Sequence, residues 1–311
     1  MKILFMGSPD FAVYSLTELI SKKYKIVGVI TSPDNRSGRG MKIKKSPVKL
    51  LAEKKGLTIL QPTNLKDKDF LIKVRKLNPD IGIVVAFRML PKNLWEIPKL
   101  GTFNLHASLL PDFRGAAPIN WSIINQEKTT GVTTFFIDEN IDTGNILLQK
   151  KISIQDDETS GSLHDKLALL GNELIIETIA SIKSGVQPKK QITNGDEKKA
   201  PKLTKENTRI DWSKDIRQIE SLIKGLNPYP GAWTYFYDSE ETIILKIFKV
   251  SIKNNKKYNS KLKIEIEDKN IFIEHPQGLL QLEFVQLPNK KRMDSISLLN
   301  GFNFKSGSKV I

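Results

Sequence analysis

The first half of the chain alternates continuous apolar runs with stretches whose apolar positions recur every three to four residues. Residues 25–30 and 80–86 are apolar at almost every position, which predicts strands buried on both faces. Between such runs, Phe11, Leu16 and Leu19 recur at helical spacing. Strand and helix in alternation predict an α/β fold, a Rossmann-like, mostly parallel sheet covered by helices.

The pattern changes after about residue 130. Two β-rich runs, 131–137 and 146–154, are joined by a polar loop, which predicts an antiparallel pair on the edge of the sheet. A long helix is predicted from about residue 163 to 184, with Ser160 or Ser162 as its cap.

The last third of the chain has short β-like runs with polar turns, which predict a small, OB-like β-barrel. A polar, charged stretch precedes it and is interpreted as a linker. The predicted organisation is therefore a first domain over 1–187, a linker over 188–207 and a second domain over 208–311. Small barrels of this kind often bind oligonucleotides, although they host many functions.

Composition narrows the function classes. The 311 residues include no cysteine, so disulfides, thiol nucleophiles and cysteine metal sites are excluded. No run approaches the roughly 20 apolar residues that a membrane helix needs, so we expect no membrane partner and a cytoplasmic protein. The net charge is +15, from 49 Lys+Arg against 34 Asp+Glu. That excess fits a polyanionic partner, but an AT-rich genome would also raise the lysine content, and both interpretations stay open.

One polar group stands out as candidate chemistry. Asn104 and His106 are two residues apart at the end of a predicted strand, so their side chains share a face. Asn104 offers a neutral hydrogen-bond donor, and His106 can donate or move a proton near neutral pH. Asp142, in the loop of the predicted edge pair, could orient the histidine or accept a proton itself. The alternative is that His106 is a structural histidine at a strand end.

A second candidate is the basic excursion over residues 31–45, in a place where connections are usually short. It contains glycines together with Arg39, Lys42, Lys44 and Lys45, which suit phosphate contacts. The earlier turn at Gly7 lacks the further glycines of a dinucleotide site, and no P-loop is present.

Several motifs together resemble the methionyl-tRNA formyltransferase family over nearly the whole chain. They are Met6-Gly-Ser-Pro-Asp-Phe11, Ser37-Gly-Arg-Gly-Met-Lys42 with Ser46-Pro-Val-Lys49, Asn104-Leu-His-Ala-Ser-Leu-Leu-Pro111, Arg114-Gly-Ala-Ala-Pro118, Asp142-Thr-Gly144, Asp211-Trp212 and Asn227-Pro-Tyr-Pro-Gly-Ala232. The chain departs from the family where many relatives carry Tyr-Gly, because Phe87-Arg88-Met89 stands there. The resemblance places that segment beside the folate.

The resemblance implies 10-formyltetrahydrofolate as donor, the α-amino group of initiator methionyl-tRNA as acceptor, and no metal. It implies that Asn104, His106 and Asp142 are catalytic. It further implies that the folate is bordered by Ser108, Leu109, Leu110 and Pro111, and that the tRNA is contacted by Arg39, Lys42, Lys44 and Lys45. The first domain would be catalytic and the second would bind tRNA. A monomer acting on tRNA and not on DNA is expected.

Three alternatives remain at this stage. A related enzyme could formylate a small amine, such as a nucleotide-linked amino sugar, although the basic loop would then have no purpose. A glycinamide ribonucleotide formyltransferase would resemble only the first domain. A non-catalytic RNA-binding protein on the same fold would not need the Asn-His-Asp set. The sequence leaves open how initiator tRNA is distinguished from elongator tRNA, and whether Asp142 acts on the amine or only orients His106.

Overall fold

The computed structural model describes residues 1–37, 42–238, 241–254 and 262–311. These residues form two compact units. The first contains Met1–Pro118, Thr129–Ser153 and His164–Ala200. The second contains Ile119–Lys128, Ile154–Leu163 and Pro201–Ile311. The segment predicted as a linker is therefore partly structured, since residues 188–200 belong to the first unit. The domain boundaries given above stay a prediction.

The strands of the first unit are short and mostly buried. In chain order they are β1 (Lys2–Gly7), β2 (Lys25–Ile30), β3 (Asn35–Ser37), β4 (Lys42–Lys44), β5 (Ile59–Leu60), β6 (Ile81–Val85), β7 (Thr102–His106), β8 (Arg114–Gly115), β9 (Thr129–Phe136), β10 (Ile146–Ser153) and β11 (Lys199–Ala200). The helices of the chain are α1 (Asp10–Ser21), α2 (Pro47–Lys54), α3 (Lys68–Lys76), α4 (Lys92–Trp95), α5 (Pro118–Ile124), α6 (Ser160–Lys183), α7 (Ile216–Gly225) and α8 (Ser295–Leu299).

The main sheet of the first unit has the strand order β10-β9-β7-β6-β1-β2-β5. Strands β5, β2, β1, β6 and β7 pair in parallel, whereas β9 is antiparallel to both β7 and β10. This confirms the predicted parallel sheet and the antiparallel pair at its edge. Every residue of β6 is buried, as its unbroken apolar sequence predicts. Strand β7 lies between β6 and β9 and ends at His106, which presents the candidate residues at the carboxyl end of a parallel strand.

Two helices begin at caps that hydroxyl side chains form. Ser46 caps α2, with its hydroxyl accepting from the Lys49 N–H at 3.1 Å ahead of Pro47, the pattern typical of a helix start. The cap of α6 uses one of the two predicted serines. Thr159 Oγ1 accepts from the Ser162 N–H at 3.2 Å, and Ser162 Oγ accepts from the Thr159 N–H at 3.0 Å. Thr159 therefore caps the helix that begins at Ser160, and Ser162 completes this reciprocal pair.

The second unit is built around an antiparallel sheet. Its strands are β12 (Ala232–Asp238), β13 (Glu241–Asn254), β14 (Ile264–Glu267), β15 (Asn270–His275), β16 (Gly278–Gln286), β17 (Met293–Asp294) and β18 (Lys309–Val310), in the order β14-β15-β16-β13-β12-β18 with β17 beside β16. The two ends of the sheet meet where Ile264 N–H donates to Ser308 O at 2.8 Å and Val310 N–H donates to Leu262 O at 3.0 Å. The sheet is thus nearly closed, which confirms the predicted small, OB-like barrel.

The core of the second unit includes Ile219 and Ile223 of α7 together with Phe236 and Leu245 of the barrel. His275 is buried, and its Nε2 donates to the Trp212 carbonyl at 3.1 Å, so this histidine has a structural role. None of the helices in the described residues is long and apolar enough to cross a membrane.

Candidate active site

Asn104 lies on β7 with a polar atom that the protein leaves unpaired. Its neighbours across the sheet are Val84 of β6 and Phe135 of β9. Asn104 Oδ1 is buried and has no hydrogen-bond partner among the described residues. An unpaired buried amide is costly and therefore uncommon, and a bound ligand is one way in which such a group gains its partner. Asn104 thus has the properties of a residue that completes its hydrogen bonding with a substrate.

His106 follows on the same face of β7 and is only 6% exposed. Its Nε2 lies 2.8 Å from the Phe113 carbonyl oxygen, and its Nδ1 lies 3.7 Å from Asp142 Oδ2. A carbonyl oxygen only accepts, so Nε2 carries a proton in this bond. The remaining nitrogen therefore faces the carboxylate. A second proton on the ring would lie between His106 and Asp142.

Asp142 is held in the loop between β9 and β10 in a backbone conformation that non-glycine residues rarely adopt. Its φ is +55°, and Phe113 has φ +60°. Such conformations cost on the order of 1–3 kcal/mol each and persist only where neighbouring contacts enforce them. Here the Gly115 N–H donates to Asp142 Oδ2 at 2.9 Å. The structure therefore brings His106 and Asp142 together, as the sequence predicted, although their catalytic roles stay a prediction.

The segment predicted to border the folate, from Ser108 to Pro111, is fixed by its own hydrogen bonds. The Ser108 hydroxyl is fully buried and donates to Asp112 O at 2.7 Å. Thr133 Oγ1 donates to Ser108 O at 2.7 Å and accepts from the Leu110 N–H at 3.1 Å. The Leu110 side chain is also buried, whereas Leu109 and Pro111 are half-buried. Leu109 and Pro111 are thus the members of this predicted set whose side chains reach the surface.

The basic excursion begins and ends as a hairpin. Strands β3 and β4 pair antiparallel, so their residues form the base of the predicted tRNA loop. Lys44 and Lys45 are exposed, but Lys45 Nζ is in an ion pair with Glu53 at 2.9 Å, which raises the pKa of Lys45. Two other predicted contacts, Arg39 and the side chain of Lys42, lie outside the described residues. The tRNA contacts of this loop stay a prediction.

The base of that hairpin is attached to the sheet through Asp34. Lys49 Nζ lies 2.5 Å from Asp34 Oδ2, and the Gln61 amide donates to Asp34 Oδ1 at 2.9 Å. The hydrogen bond from Lys49 is the main reason that the pKa of the Asp34 carboxyl is below its ordinary value. These three side chains come from different segments and hold the loop at its start.

In the segment Phe87-Arg88-Met89, where the chain departs from its family, Arg88 contacts the wall of a cavity of about 320 Å³. Arg88 donates to the carbonyl oxygens of Pro62 and Thr63, two residues of the cavity wall. The cavity is lined by Leu60, Gln61, Pro62, Thr63, Asn64, Asp67, Phe70 and Lys73. Arg88 therefore supports this wall through main-chain contacts.

Sequence reasoning missed the residues that hold the site. Gln149 donates to Leu110 O and Thr133 Oγ1, both at 2.9 Å, and a buried Gln191 contacts the Asp142 loop. Each pairs with residues far away in the sequence, so no local motif marked them. Within the described ranges, no three His, Cys, Asp or Glu side chains are grouped so as to hold a metal ion.

The chain matches known proteins over its full length. The model of the formyl transferase family matches residues 1–179, and that of the formyl transferase C-terminal domain matches residues 202–303. The chain is 50% identical to the methionyl-tRNA formyltransferase of Flavobacterium johnsoniae over 311 residues, covering 100% of this chain and 99% of that protein. It is 47% identical to the methionyl-tRNA formyltransferase of Flavobacterium psychrophilum over 322 residues, covering 100% and 99%.

Solved structures agree on the fold. WlaRD, a sugar 3N-formyl transferase solved in the presence of dTDP and 5-N-formyl-THF, superposes with a TM-score of 0.65 at 22% identity, over 94% of this chain and 99% of that chain. At that identity only the architecture carries over. The full-length match to the named bacterial relatives is more specific, and the chain belongs to the methionyl-tRNA formyltransferase family.

Proposed function

We propose that this protein transfers the formyl group of 10-formyltetrahydrofolate to the free α-amino group of initiator methionyl-tRNA. The relatives that match over the full length are named for this activity. A folate co-substrate also fits the neighbour that was solved with 5-N-formyl-THF. The observation that carries the proposal is the buried Oδ1 of Asn104, which has no partner among the described residues, on the strand that also carries His106 of the His106–Asp142 pair.

The reaction forms one bond and breaks one bond at the formyl carbon, and it moves a proton from the amine nitrogen to the folate nitrogen. The amine nitrogen forms a bond to the formyl carbon, whose oxygen becomes negatively charged. The bond from that carbon to the folate nitrogen then breaks, and the folate nitrogen takes a proton while the amine loses one. Asn104 supplies an amide at this point, which presents Nδ2 as a donor to the oxyanion or Oδ1 as an acceptor for the amine N–H.

His106 and Asp142 account for the proton. Because His106 Nε2 is bonded to the Phe113 carbonyl, the ring exchanges protons through Nδ1, the atom that faces Asp142 at 3.7 Å. The pair can accept the amine proton and hold it between these two atoms until the folate nitrogen leaves. Protonated at Nδ1, His106 can also donate to the developing oxyanion. Asp142 would then act both as orienter and as proton acceptor.

The acceptor is a polyanion, and the chain carries a net charge of +15. Exposed Lys44 and Lys45 at the base of the β3–β4 hairpin are proposed to contact the acceptor arm, together with Arg39 and Lys42. The second domain is proposed to contribute further phosphate contacts, in keeping with its barrel architecture. A monomer acting in the cytoplasm fits this role in translation.

The decisive experiment offers purified protein 10-formyltetrahydrofolate with three acceptors: methionyl initiator tRNA, methionyl elongator tRNA and a dTDP-linked amino sugar. We expect rapid formylation of the initiator tRNA alone. An Asn104→Ala preparation made in parallel controls for contaminating activity. Preferred formylation of the sugar would replace this proposal with the small-amine alternative. Absence of transfer to any acceptor would refute the enzymatic assignment.

A further inference from the structure

Gln191 is one of two buried residues in an otherwise mostly exposed stretch of chain. It is 7% exposed, and the other buried residue of residues 188–200 is Ala200. Its neighbour Ile192 is 89% exposed. Sequence pattern assigns the stretch to a linker, where a buried polar residue has no evident purpose. Burial of a primary amide is favourable only when its hydrogen bonds are satisfied.

All four hydrogen-bonding positions of the Gln191 amide are used. Its Nε2 donates to Asp142 O at 2.9 Å and to Gly144 O at 2.8 Å. Its Oε1 accepts from Arg114 Nε at 3.1 Å and from Arg114 Nη2 at 2.6 Å. Two donors and two acceptors in one plane are what a primary amide offers. A glutamate would face two carbonyl oxygens without a donor, and an apolar residue would leave three partners unpaired.

These bonds join the two segments that surround the Asp142 carboxylate. One is the Asp142–Gly144 turn, whose backbone holds Asp142 at φ +55°. The other is Arg114–Gly115, whose Gly115 N–H donates to Asp142 Oδ2. Gly115 is itself fixed by β8–β11 pairing, and it approaches β11 so closely that a Cβ there would come within 2.4 Å of Ala200 O. Gln191 therefore ties the backbone of Asp142 to the element that binds its side chain.

We propose that Gln191 is a positioning residue that holds Asp142 in reach of His106 Nδ1, a role that rests on the function proposed above. Without the amide, the strained Asp142 backbone loses the hydrogen bonds that enforce its left-handed conformation. The turn then relaxes, and the carboxylate leaves the 3.7 Å geometry with the imidazole. We expect substrate binding to be independent of this link, because all four hydrogen-bonding positions of the Gln191 amide are taken by protein atoms.

The test compares Gln191→Ala and Gln191→Glu with Gln187→Ala, which changes an exposed glutamine just before the same stretch. Using the acceptor that the wild type formylates, we expect both Gln191 variants to lower kcat about 10- to 100-fold, with KM for both substrates within about twofold. Gln187→Ala should match the wild type. A rise in KM with unchanged kcat would overturn the proposal.

A double-mutant cycle separates positioning from general loss of stability. If Gln191 acts through Asp142, Gln191→Ala should add less than about twofold to the defect of Asp142→Asn, since the group it positions is already removed. Full multiplication of the two defects would contradict the proposal.

Hydrogen exchange gives a readout that is independent of activity. The backbone amides of residues 142–145 and 115 should exchange about tenfold faster or more in Gln191→Ala than in Gln187→Ala, since their restraint is removed. Unchanged exchange would reject the positioning role even if the proposed function is correct. Faster exchange in a protein that formylates nothing would reject only the function.

Discussion

At the scale of single residues, the site combines a side chain that lacks a hydrogen-bond partner with side chains whose hydrogen bonds to the protein fix their orientation. Asn104 has a buried acceptor without a partner, whereas His106 uses Nε2 on a carbonyl and directs Nδ1 to Asp142. This division assigns the roles: Asn104, whose Oδ1 has no partner among the described residues, meets the substrate, and His106 exchanges a proton through Nδ1.

We therefore predict that Asn104→Ala lowers kcat about 100- to 1000-fold, as loss of one oxyanion donor does elsewhere. KM for tRNA should change little, because the proposed tRNA contacts Lys44 and Lys45 belong to the base of the β3–β4 hairpin and not to β7. Asn125→Ala, at an exposed asparagine on the surface, is the matched control. Steady-state rates with varied tRNA measure both constants. A kcat within about threefold of the wild type would exclude Asn104 from the chemistry.

Asp142→Asn tests the proton path separately. The asparagine keeps an oxygen for the Gly115 N–H, so the loop geometry is retained while the charge beside His106 is removed. We expect a loss of kcat of about 100- to 10 000-fold, the range for removal of a general base. Thermal unfolding of the variant should match that of the wild type. A kcat of Asp142→Asn comparable to that of the wild type would mean that His106 acts without the carboxylate.

The sequence alone identified Asn104 and His106, because alternation along a strand puts residues i and i+2 on one face. Asp142 was located by its loop and by the resemblance to a family. Gln191 and the Phe113 carbonyl could not be found in the same way. Gln191 meets Asp142 from 49 positions away, and the carbonyl belongs to a residue with φ +60°. Neither feature leaves a periodic signal, since both depend on how separate segments fold against each other.

At the scale of elements, buried strands and long helices were predictable because their apolar spacing is dictated by which faces they bury. Strand β6 was predicted to within one residue at each end, and the predicted strand that ends near Asn104 and His106 is β7. The two-residue strands β8 and β11 were missed, since they exist only through pairing with each other. The hairpin β3–β4 was predicted as an irregular excursion, because glycines and basic residues conceal the short pairing at its base.

The hairpin base leads to a prediction about stability and pH. Lys49 lowers the pKa of Asp34 below its ordinary value of 3.8, so the charged pair stabilises the folded state above that pH. This contribution is lost as the pH falls through the lower, folded-state pKa. The Tm difference between wild type and Asp34→Asn should therefore be largest near pH 7 and should shrink below about pH 4. A difference independent of pH would mean that the pair does not stabilise the hairpin base.

At the scale of the whole molecule, the excess of positive charge acts on encounter with the RNA. Association with a polyanion releases counterions, and log affinity falls with log salt by roughly 0.7 to 0.9 per neutralised phosphate. We predict that kcat/KM for methionyl-tRNA falls steeply between about 50 and 200 mM salt. The decline of kcat/KM for 10-formyltetrahydrofolate, measured at saturating methionyl-tRNA over the same salt range, should be much shallower. If the two kcat/KM values declined equally with salt, the positive charge would reflect amino-acid composition alone and would not contribute to tRNA binding.

The last prediction asks whether one tRNA uses both units at once. Lys44 and Lys45 lie in the first unit, and Lys290 and Lys291 are exposed in the second. If a single RNA contacts both pairs, alanine at either pair should lower kcat/KM for tRNA and reduce the salt slope by roughly 0.7 to 0.9 for each phosphate that is no longer neutralised. The defects of the two pairs should multiply when combined, because separate sites on one ligand contribute independent free energies.

Lys68→Ala with Lys76→Ala, at exposed positions of α3, removes the same charge without touching either predicted surface. This control should retain nearly the wild-type slope. If it behaves like the other pairs, net charge alone governs binding and neither surface is specific. If only the first-unit pair has an effect, the tRNA is bound by the catalytic unit through its hairpin. The barrel would then need a role other than tRNA contact through Lys290 and Lys291.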